Sequence, residues 1–324
     1  MIKKLQKNNK LLCTSRNYRE VVELAKIRGM NLFFVGKHGG SDKIGKLDAS
    51  LQRMNSLLAI VKKFWPDLTI SFCSPEASRI SFGLGVKHIS FCDSPHAEAV
   101  MRLTIPLLQR LLIPWIIPKK EFTKYGIAKE KITQYRAIDA SLIVKQRSKD
   151  NSKYNFVFKK KTILIRPEES EASYLSKNEN RIIEIIRGIS NEFQYYNIII
   201  LGRYLPQISK LKRKFGRNVT VLGRVVEGKS LLRFVDLFIG SGGTMTAEAA
   251  LMGIPTISYN AVPNYIEEYL VKNGLVKRET DPQRIVFLAK MILKSDKKKH
   301  REKARRILNS MEDPFLKLIS LIKP

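Results

Sequence analysis

Short apolar runs alternate with amphipathic stretches along most of the chain. In the first part, Leu11–Cys13, Leu32–Val35, Leu68–Cys73 and His88–Cys92 read as strands, and helical periodicity falls at Tyr18–Arg28, about Leu47–Phe64 and Glu76–Gly83. That alternation predicts βα units around a parallel sheet. The polar, basic run QRSKDNSKYN (146–155) then interrupts it. A second series follows, with strands at Thr162–Ile165, Tyr196–Leu201, Val219–Leu222, Asp236–Ile239 and Thr256–Tyr259. Its helices fall at Arg181–Phe193, Gln207–Phe215, Leu231–Arg233 and Thr244–Met252, and from Tyr265 the chain reads as helical to its end. The expected organisation is an α/β domain over 1–140, a linker over 141–160 and a second α/β domain over 161–324, with parallel sheets facing a cleft and helices at the C-terminus. The chain opens on Met1–Lys7, which reads as the end of an amphipathic helix, so the first strand of the N-terminal domain is expected to be missing.

Composition narrows the function classes. The 324 residues suffice for two domains, and 44% hydrophobic content can build ordinary cores. The most apolar stretch, Leu103–Pro118, is broken by Pro106, Gln109, Arg110 and Pro114, and is too short to span a bilayer. MIKKLQKNNK lacks an apolar core, so the expected location is cytoplasmic. Cys13, Cys73 and Cys92 read as reduced thiols, because neither they nor His38 and His96 show metal-ligand spacing. No metal and no further cofactor is expected. Fifty-nine Lys plus Arg against 29 Asp plus Glu give a net charge of +30, a field that attracts anions. The lysines are scattered, which favours solvated faces over a dedicated nucleic-acid surface. Leu103–Ile117 and the basic helix near 298–324 are the candidates for peripheral contact with an anionic membrane.

The sharpest local signal is Asp236-Leu-Phe-Ile-Gly240-Ser241-Gly242-Gly243-Thr244-Met-Thr246-Ala-Glu248, closing on Gly253-Ile-Pro255. An apolar strand runs through three glycines into a helix. Glycines let backbone amides approach a ligand, and a helix N-terminus presents N–H groups and the positive end of its dipole, which together suit a diphosphate. Ser241, Thr244 and Thr246 add hydroxyls. Glu248 lies one turn beyond Thr244 on the same face, where a carboxylate can bind ribose hydroxyls. The competing reading is a tight strand-to-helix turn with Glu248 on the surface.

SGGTMTAEAALMGIP resembles the nucleotide-sugar signature of GT-B-fold enzymes, both glycosyltransferases and the non-hydrolysing UDP-N-acetylglucosamine 2-epimerases. The chain is more closely similar to a family of uncharacterised, mainly archaeal proteins of the GT-B superfamily, through GKHGG (36–40), SPEASRISFGLGV (74–86), DSPHAEAVMRLTIPL (93–107) and IRPEESEASY (165–174). The resemblance implies two Rossmann-like domains and a UDP-linked or similar nucleotide-sugar substrate, with an acceptor it does not name. By analogy with the epimerases, Glu98 becomes an acid/base group and His96 or Arg102 a phosphate or sugar contact. The epimerases' second acidic pair is replaced here by Ile105-Pro106-Leu107-Leu108, their histidine–arginine segment by Arg166-Pro167-Glu168-Glu169, and no histidine lies between 97 and 299. Glycosyl transfer is therefore preferred to epimerisation. A chain that binds polyanions without catalysis is the third reading.

The remaining candidates sit at strand ends, where α/β folds hold ligands. Asp93 and Glu98 follow the strand His88–Cys92 as two carboxylates able to divide acid and base roles, or as helix-capping residues. Gly36-Lys37-His38-Gly39-Gly40 combines permissive backbone with a cation and an imidazole base. Arg166 and Arg203 follow the strands Thr162–Ile165 and Tyr196–Leu201 as phosphate-binding forks, with Arg166–Glu168 or Arg203–Glu248 ion pairs as the alternative.

Overall fold

The computed structural model describes residues 1–40, 42–146, 160–168, 179–216, 219–259 and 263–322. The chain divides into two units, Met1–Asp139 with Met311–Pro324, and Ala140–Ser310.

In the first unit, β1 (Thr14–Ser15) and β2 (Phe33–Phe34) pair in parallel as a two-stranded sheet. Four further strands, β3 (Leu68–Phe72), β4 (Lys87–Phe91), β5 (Arg110–Pro114) and β6 (Ile132–Tyr135), form a parallel sheet in that order. Helices Arg19–Arg28, Lys43–Phe64, Pro75–Gly83 and Glu98–Thr104 follow β1 to β4, as the alternation predicts. The stretch Leu103–Ile117 is not a surface helix. It holds the last turns of the preceding helix and then β5, with Leu111, Leu112 and Ile113 wholly buried. A strand covered on both faces has no polar side to show, which explains the apolar run Leu111–Pro114.

The second unit carries one six-stranded sheet, all parallel. Its strands are β7 (Thr162–Arg166), β8 (Asn197–Leu201), β9 (Thr220–Leu222), β10 (Leu237–Gly240), β11 (Thr256–Ser258) and β12 (Val276–Arg278), in the order β12-β11-β10-β7-β8-β9. Counted within the unit this is the doubly wound order, whose direction reverses between its first and fourth strands, here β7 and β10. The period of two divides the core. Ile163, Ile165, Ile200 and Ile239 pack on one face with Ile185 and Ile189 of helix Glu179–Glu192 and Ile285 of helix Pro282–Lys294. Leu164, Ile199 and Phe238 pack on the other with Leu231 and Ala249. Each fully buried Ile or Leu contributes roughly 1.5–3 kcal/mol relative to an exposed one. β12 lies where an uninterrupted helix is expected. Gly274, at φ +65°, ends helix Tyr265–Lys272 and releases the chain into the sheet.

Two boundaries differ from expectation. Helix Ala140–Lys145 falls in the second unit instead of the linker, fastened there by Lys229 Nζ, which donates to the Val144 carbonyl at 2.5 Å. The rest of the proposed linker, 147–159, lies outside the described residues. The last helix, Pro314–Ile322, belongs to the first unit. The Arg136 amide donates to Glu312, Lys4 pairs with Asp313 at 2.6 Å, and Leu318 is wholly buried. The basic helix expected near 298–324 is thus two helices, Lys298–Asn309 and Pro314–Ile322. Among the described residues no helix is long and apolar enough to cross a membrane.

Candidate functional site

The glycine run leaves β10 at the point where the strand order reverses. Gly240 is the register partner of Arg166, the last residue of β7. Each glycine has its own reason. A Cβ on Gly240 would stand 2.5 Å from the Phe238 ring and 2.7 Å from Thr246 Oγ1. Gly242 has φ +95°, and a Cβ there would fall 2.7 Å from Glu267 Oε2. Gly243, by contrast, faces open space. The Gly242 amide donates to Thr246 Oγ1 at 3.2 Å and Asn264 Nδ2 donates to the Gly242 carbonyl, so the loop is held from within. Thr246 is buried in this role and offers no hydroxyl to a ligand, contrary to expectation, whereas Thr244 is exposed.

Gly243 begins the helix Thr244–Leu251 without a side-chain cap. The first bond inside the helix is from the Thr246 amide to the Gly243 carbonyl at 3.0 Å, so the amides of Gly243, Thr244 and Met245 precede it. Unpaired N–H groups and roughly half a positive charge collect at such an end. The helix after the other glycine loop, Lys43–Phe64, is closed by its own anion, since Asp42 accepts the Gly45 amide at 2.7 Å. One helix start is open to an external anion, and the other is occupied.

The surroundings of the open start are polar and mostly buried. Glu248 is 8% exposed, with Oε2 3.3 Å from where a Cβ on Gly228 would stand, so it is not the surface residue of the competing reading. Arg166 directs Nη1 to the Leu201 and Gly202 carbonyls at 2.7 and 2.9 Å, which joins the ends of β7 and β8 and commits part of its fork. Arg203 follows β8, its amide donating to Gln207 Oε1. Tyr259, just past β11, is a member of the site that sequence reasoning missed. Its hydroxyl donates to the buried Glu168 carboxylate and meets the Ser241 side chain, and burial, with the Glu168 charge behind it, pushes its pKa far up. Beneath the loop, Glu267 is 1% exposed and paired to Arg278 at 3.3 Å. Burial raises its pKa against the opposing effects of Ser258 and Arg278.

In the first unit the candidates separate. Glu98 is exposed and bonded to Arg102 one turn on at 2.7 Å, which makes it a helix-surface pair and not the acidic partner of Asp93. Asp93 follows β4, with Ser94 Oγ donating to it at 2.7 Å. His96 is exposed, yet desolvation lowers its pKa while Asp93 opposes. The carboxyl that does share a field with Asp93 is Asp139, after β6, which accepts from the Tyr135 hydroxyl at 2.6 Å. Burial raises the Asp139 pKa to about 6, with Asp93 adding to the rise. Only its position past a strand end hinted at this.

His38 has Nδ1 committed as acceptor of the Gly40 amide at 3.1 Å, which leaves Nε2 as the N–H of the neutral ring. Gly39 serves packing, since a Cβ on it would stand 2.3 Å from the Gly45 carbonyl. Behind this loop, Glu76 bonds Arg16 at 2.6 Å and Arg53 at 2.9 Å, and Arg53 Nε donates to the Val35 carbonyl. This cluster ties together the ends of β1, β2 and β3. Cys73 and Cys92 follow β3 and β4 directly; Ser90 Oγ donates to Cys73 Sγ and Cys92 Sγ donates to Met101 Sδ, each at 3.7 Å. Among the described residues they form no metal-holding group with His38 or His96.

The fold is shared with known nucleotide-sugar enzymes. The UDP-GlcNAc 2-epimerase of Neisseria meningitidis, solved bound to UDP-GlcNAc, superposes with a TM-score of 0.75 at 16% identity, over 100% of this chain and 95% of that one. The Methanocaldococcus jannaschii UDP-GlcNAc 2-epimerase in complex with UDP-GlcNAc and UDP gives 0.68 at 16%, over 95% and 93%. MurG of Acinetobacter baumannii gives 0.54 at 14%, over 99% and 93%. The α/β fold with parallel sheets is therefore the GT-B type. In sequence, the chain is 25% identical over 338 aligned positions to the uncharacterised protein MJ0665 of Methanocaldococcus jannaschii, covering 100% of this chain and 89% of that one. The model of one family matches residues 1–322, and the chain belongs to it: the protein family of unknown function DUF354.

Proposed function

We propose that this chain binds a nucleotide-sugar through its second unit and transfers the sugar to an acceptor. The carrying observation is the uncapped start of helix Thr244–Leu251, led in by three glycines at the reversal point of a doubly wound sheet. The diphosphate is assigned to the amides of Gly243, Thr244 and Met245, with the Ser241 and Thr244 hydroxyls beside them. Glu248, held under low exposure near Gly228, is assigned to the ribose hydroxyls. Arg166 and Arg203, which follow the carboxyl ends of β7 and β8, are assigned to phosphate oxygens. The named neighbours include structures bound to UDP and UDP-GlcNAc, which supports a uridine nucleotide as the first one to test.

For the reaction, the acceptor oxygen attacks the anomeric carbon, and the bond from that carbon to the diphosphate breaks with its electrons leaving on phosphate. The acceptor proton passes to a carboxylate. Asp93 and Asp139 replace Asp93 and Glu98 as the assigned pair, because one of them is already held near half-protonation at about pH 6. Helix-end amides and arginine stabilise the departing diphosphate in this scheme, with no metal assigned. Epimerisation is the second reading, and the higher TM-scores of the epimerases favour it over more remote chemistry.

A thermal-shift panel of nucleoside diphosphates and their sugars is the test. Stabilisation by at least one of them, lost in Glu248→Ala, supports the reading. No stabilisation by any, with retention on nucleic acid that collapses in salt, assigns the chain to polyanion binding instead.

A further inference from the structure

The carboxyl ends of β7 and β10 lead to the glycine loop; their amino ends lead away from it, to Lys161 and Asp236. At that far edge Lys161 Nζ donates to the Leu293 carbonyl at 2.8 Å, and Lys297 pairs with Asp236 at 2.8 Å. These bonds fasten the end of helix Pro282–Lys294 and the start of helix Lys298–Asn309 to the sheet. Helix Pro282–Lys294 buries Ile285, Ala289 and Leu293, yet leaves Phe287 64% and Met291 56% exposed. The two are one turn apart and so lie side by side. Arg284 and Lys294, both exposed, continue the same stripe at either end. Tyr195, 83% exposed, follows the neighbouring helix, which the Glu192–Lys290 ion pair of 2.7 Å holds alongside.

The segment that follows is strongly basic. From Lys290 to Arg306 there are nine Lys or Arg residues against two acids. In helix Lys298–Asn309 only Ala304 is buried, and most of the cations are exposed. Between the two helices lies a recess lined by Lys161, Lys294, Lys297, Lys298 and Arg301, with the acids Asp236, Asp296 and Glu302 among them.

We infer that this edge of the second unit docks on an anionic phospholipid surface, with Phe287 and Met291 entering the interface and the surrounding lysines and arginines meeting headgroup phosphates. Cations alone satisfy a nucleic acid, whose non-specific affinity comes from phosphate neutralisation. An apolar pair set along one helix stripe between cations is the pattern of an interfacial helix, and methionine has no ring with which to stack on a base. Long basic side chains reach headgroups while their stems lie on apolar surface. The inference does not depend on the nucleotide reading: helix Pro282–Lys294 packs on a face of the sheet through Ile285, Ala289 and Leu293 and shares no residue with the glycine loop, and either can fail alone.

The test sediments the full chain with vesicles of phosphatidylcholine, alone or mixed with phosphatidylglycerol. Binding is expected only to the anionic vesicles and is expected to weaken severalfold as salt shortens the screening length. The double variant Phe287→Ser, Met291→Ser, checked by its melting curve, is expected to lose roughly tenfold in binding. Phe287→Trp, read as a difference spectrum against the wild type, is expected to shift its emission to the blue on anionic vesicles. Equal binding to both vesicle types overturns the inference, as does full retention by the double variant. An unshifted Phe287→Trp spectrum, or displacement from vesicles by a short RNA that binds the double variant equally well, assigns the patch to polyanions and overturns it too.

Discussion

Replacing Asp139 with asparagine isolates one carboxyl whose environment the structure specifies closely. Asp139 accepts the Tyr135 hydroxyl at 2.6 Å, which favours the charged form, but burial outweighs that bond and the Asp93 charge adds to it, so the pKa rises from 3.8 to about 6. A raised acid pKa means that the folded chain holds a proton which the unfolded chain has released. Stability from this group is therefore complete below pH 4 and is lost as pH rises through 6. Two pKa units correspond to about 3 kcal/mol, reduced to about 2–3 by partial solvent access. The amide introduced by Asp139→Asn keeps an acceptor for Tyr135 and carries no charge. The expected result is a stability difference, Asp139→Asn minus wild type, that grows by about 2–3 kcal/mol between pH 4 and pH 7.5. Urea unfolding followed by tryptophan fluorescence reads the right part of the chain, since Trp65 and Trp115 both lie in the first unit. A difference that is the same at both pH values, or a carbon-13 titration placing Asp139 near 4, would refute the reasoning and remove Asp139 from the acid/base pair.

Three further outcomes follow from single environments. His88 is 2% exposed in β4 and burial lowers its pKa to about 4, so protonation favours the unfolded chain as pH falls from 6.5 towards 4; His88→Gln is expected to remove about 3 kcal/mol of that acid lability, read as the difference between urea midpoints at pH 4 and 7. Gly242→Ala forces a Cβ onto Glu267 at φ +95° and is expected to cost about 1–3 kcal/mol, whereas Gly243→Ala meets open space and is expected to melt within a degree or two of wild type. Arg53→Met leaves the buried Glu76 carboxylate with Arg16 alone among its two arginines, and is expected to destabilise the first unit by about 2–4 kcal/mol, with Glu76→Gln in the same background recovering part of the loss.

The parts of the fold legible in the sequence were those carried by local periodicity. Strands such as Thr162–Arg166 and helices such as Lys43–Phe64 fall within a few residues of expectation. β5 was not legible, because Leu103–Pro118 is mostly apolar and carries prolines; a strand buried on both faces has no alternation to read. The placement of helix Pro314–Ile322 in the first unit depends on contacts with Lys4 and Arg136 that no local pattern encodes. The glycine loop was legible for the opposite reason, since strand, glycines and helix are contiguous in sequence. Its partners were legible only in part: the inward turn of Thr246 and the reach of Tyr259 to Glu168 arise from packing between separate strands. That Glu98 pairs with Arg102 at the helix surface, and that Asp139 shares the field of Asp93, was not legible, because exposure and charge environment are set by the folded unit.

The central claim, a nucleotide diphosphate on the open start of helix Thr244–Leu251, is tested most directly by titration calorimetry of the full chain with UDP at near-physiological salt. Saturable one-site binding by wild type, weakened at least about tenfold in Glu248→Ala through loss of a charged hydrogen-bonding partner, is the predicted result. No saturable heat with UDP or any other nucleoside diphosphate, or binding of equal strength in wild type and Glu248→Ala, would contradict it.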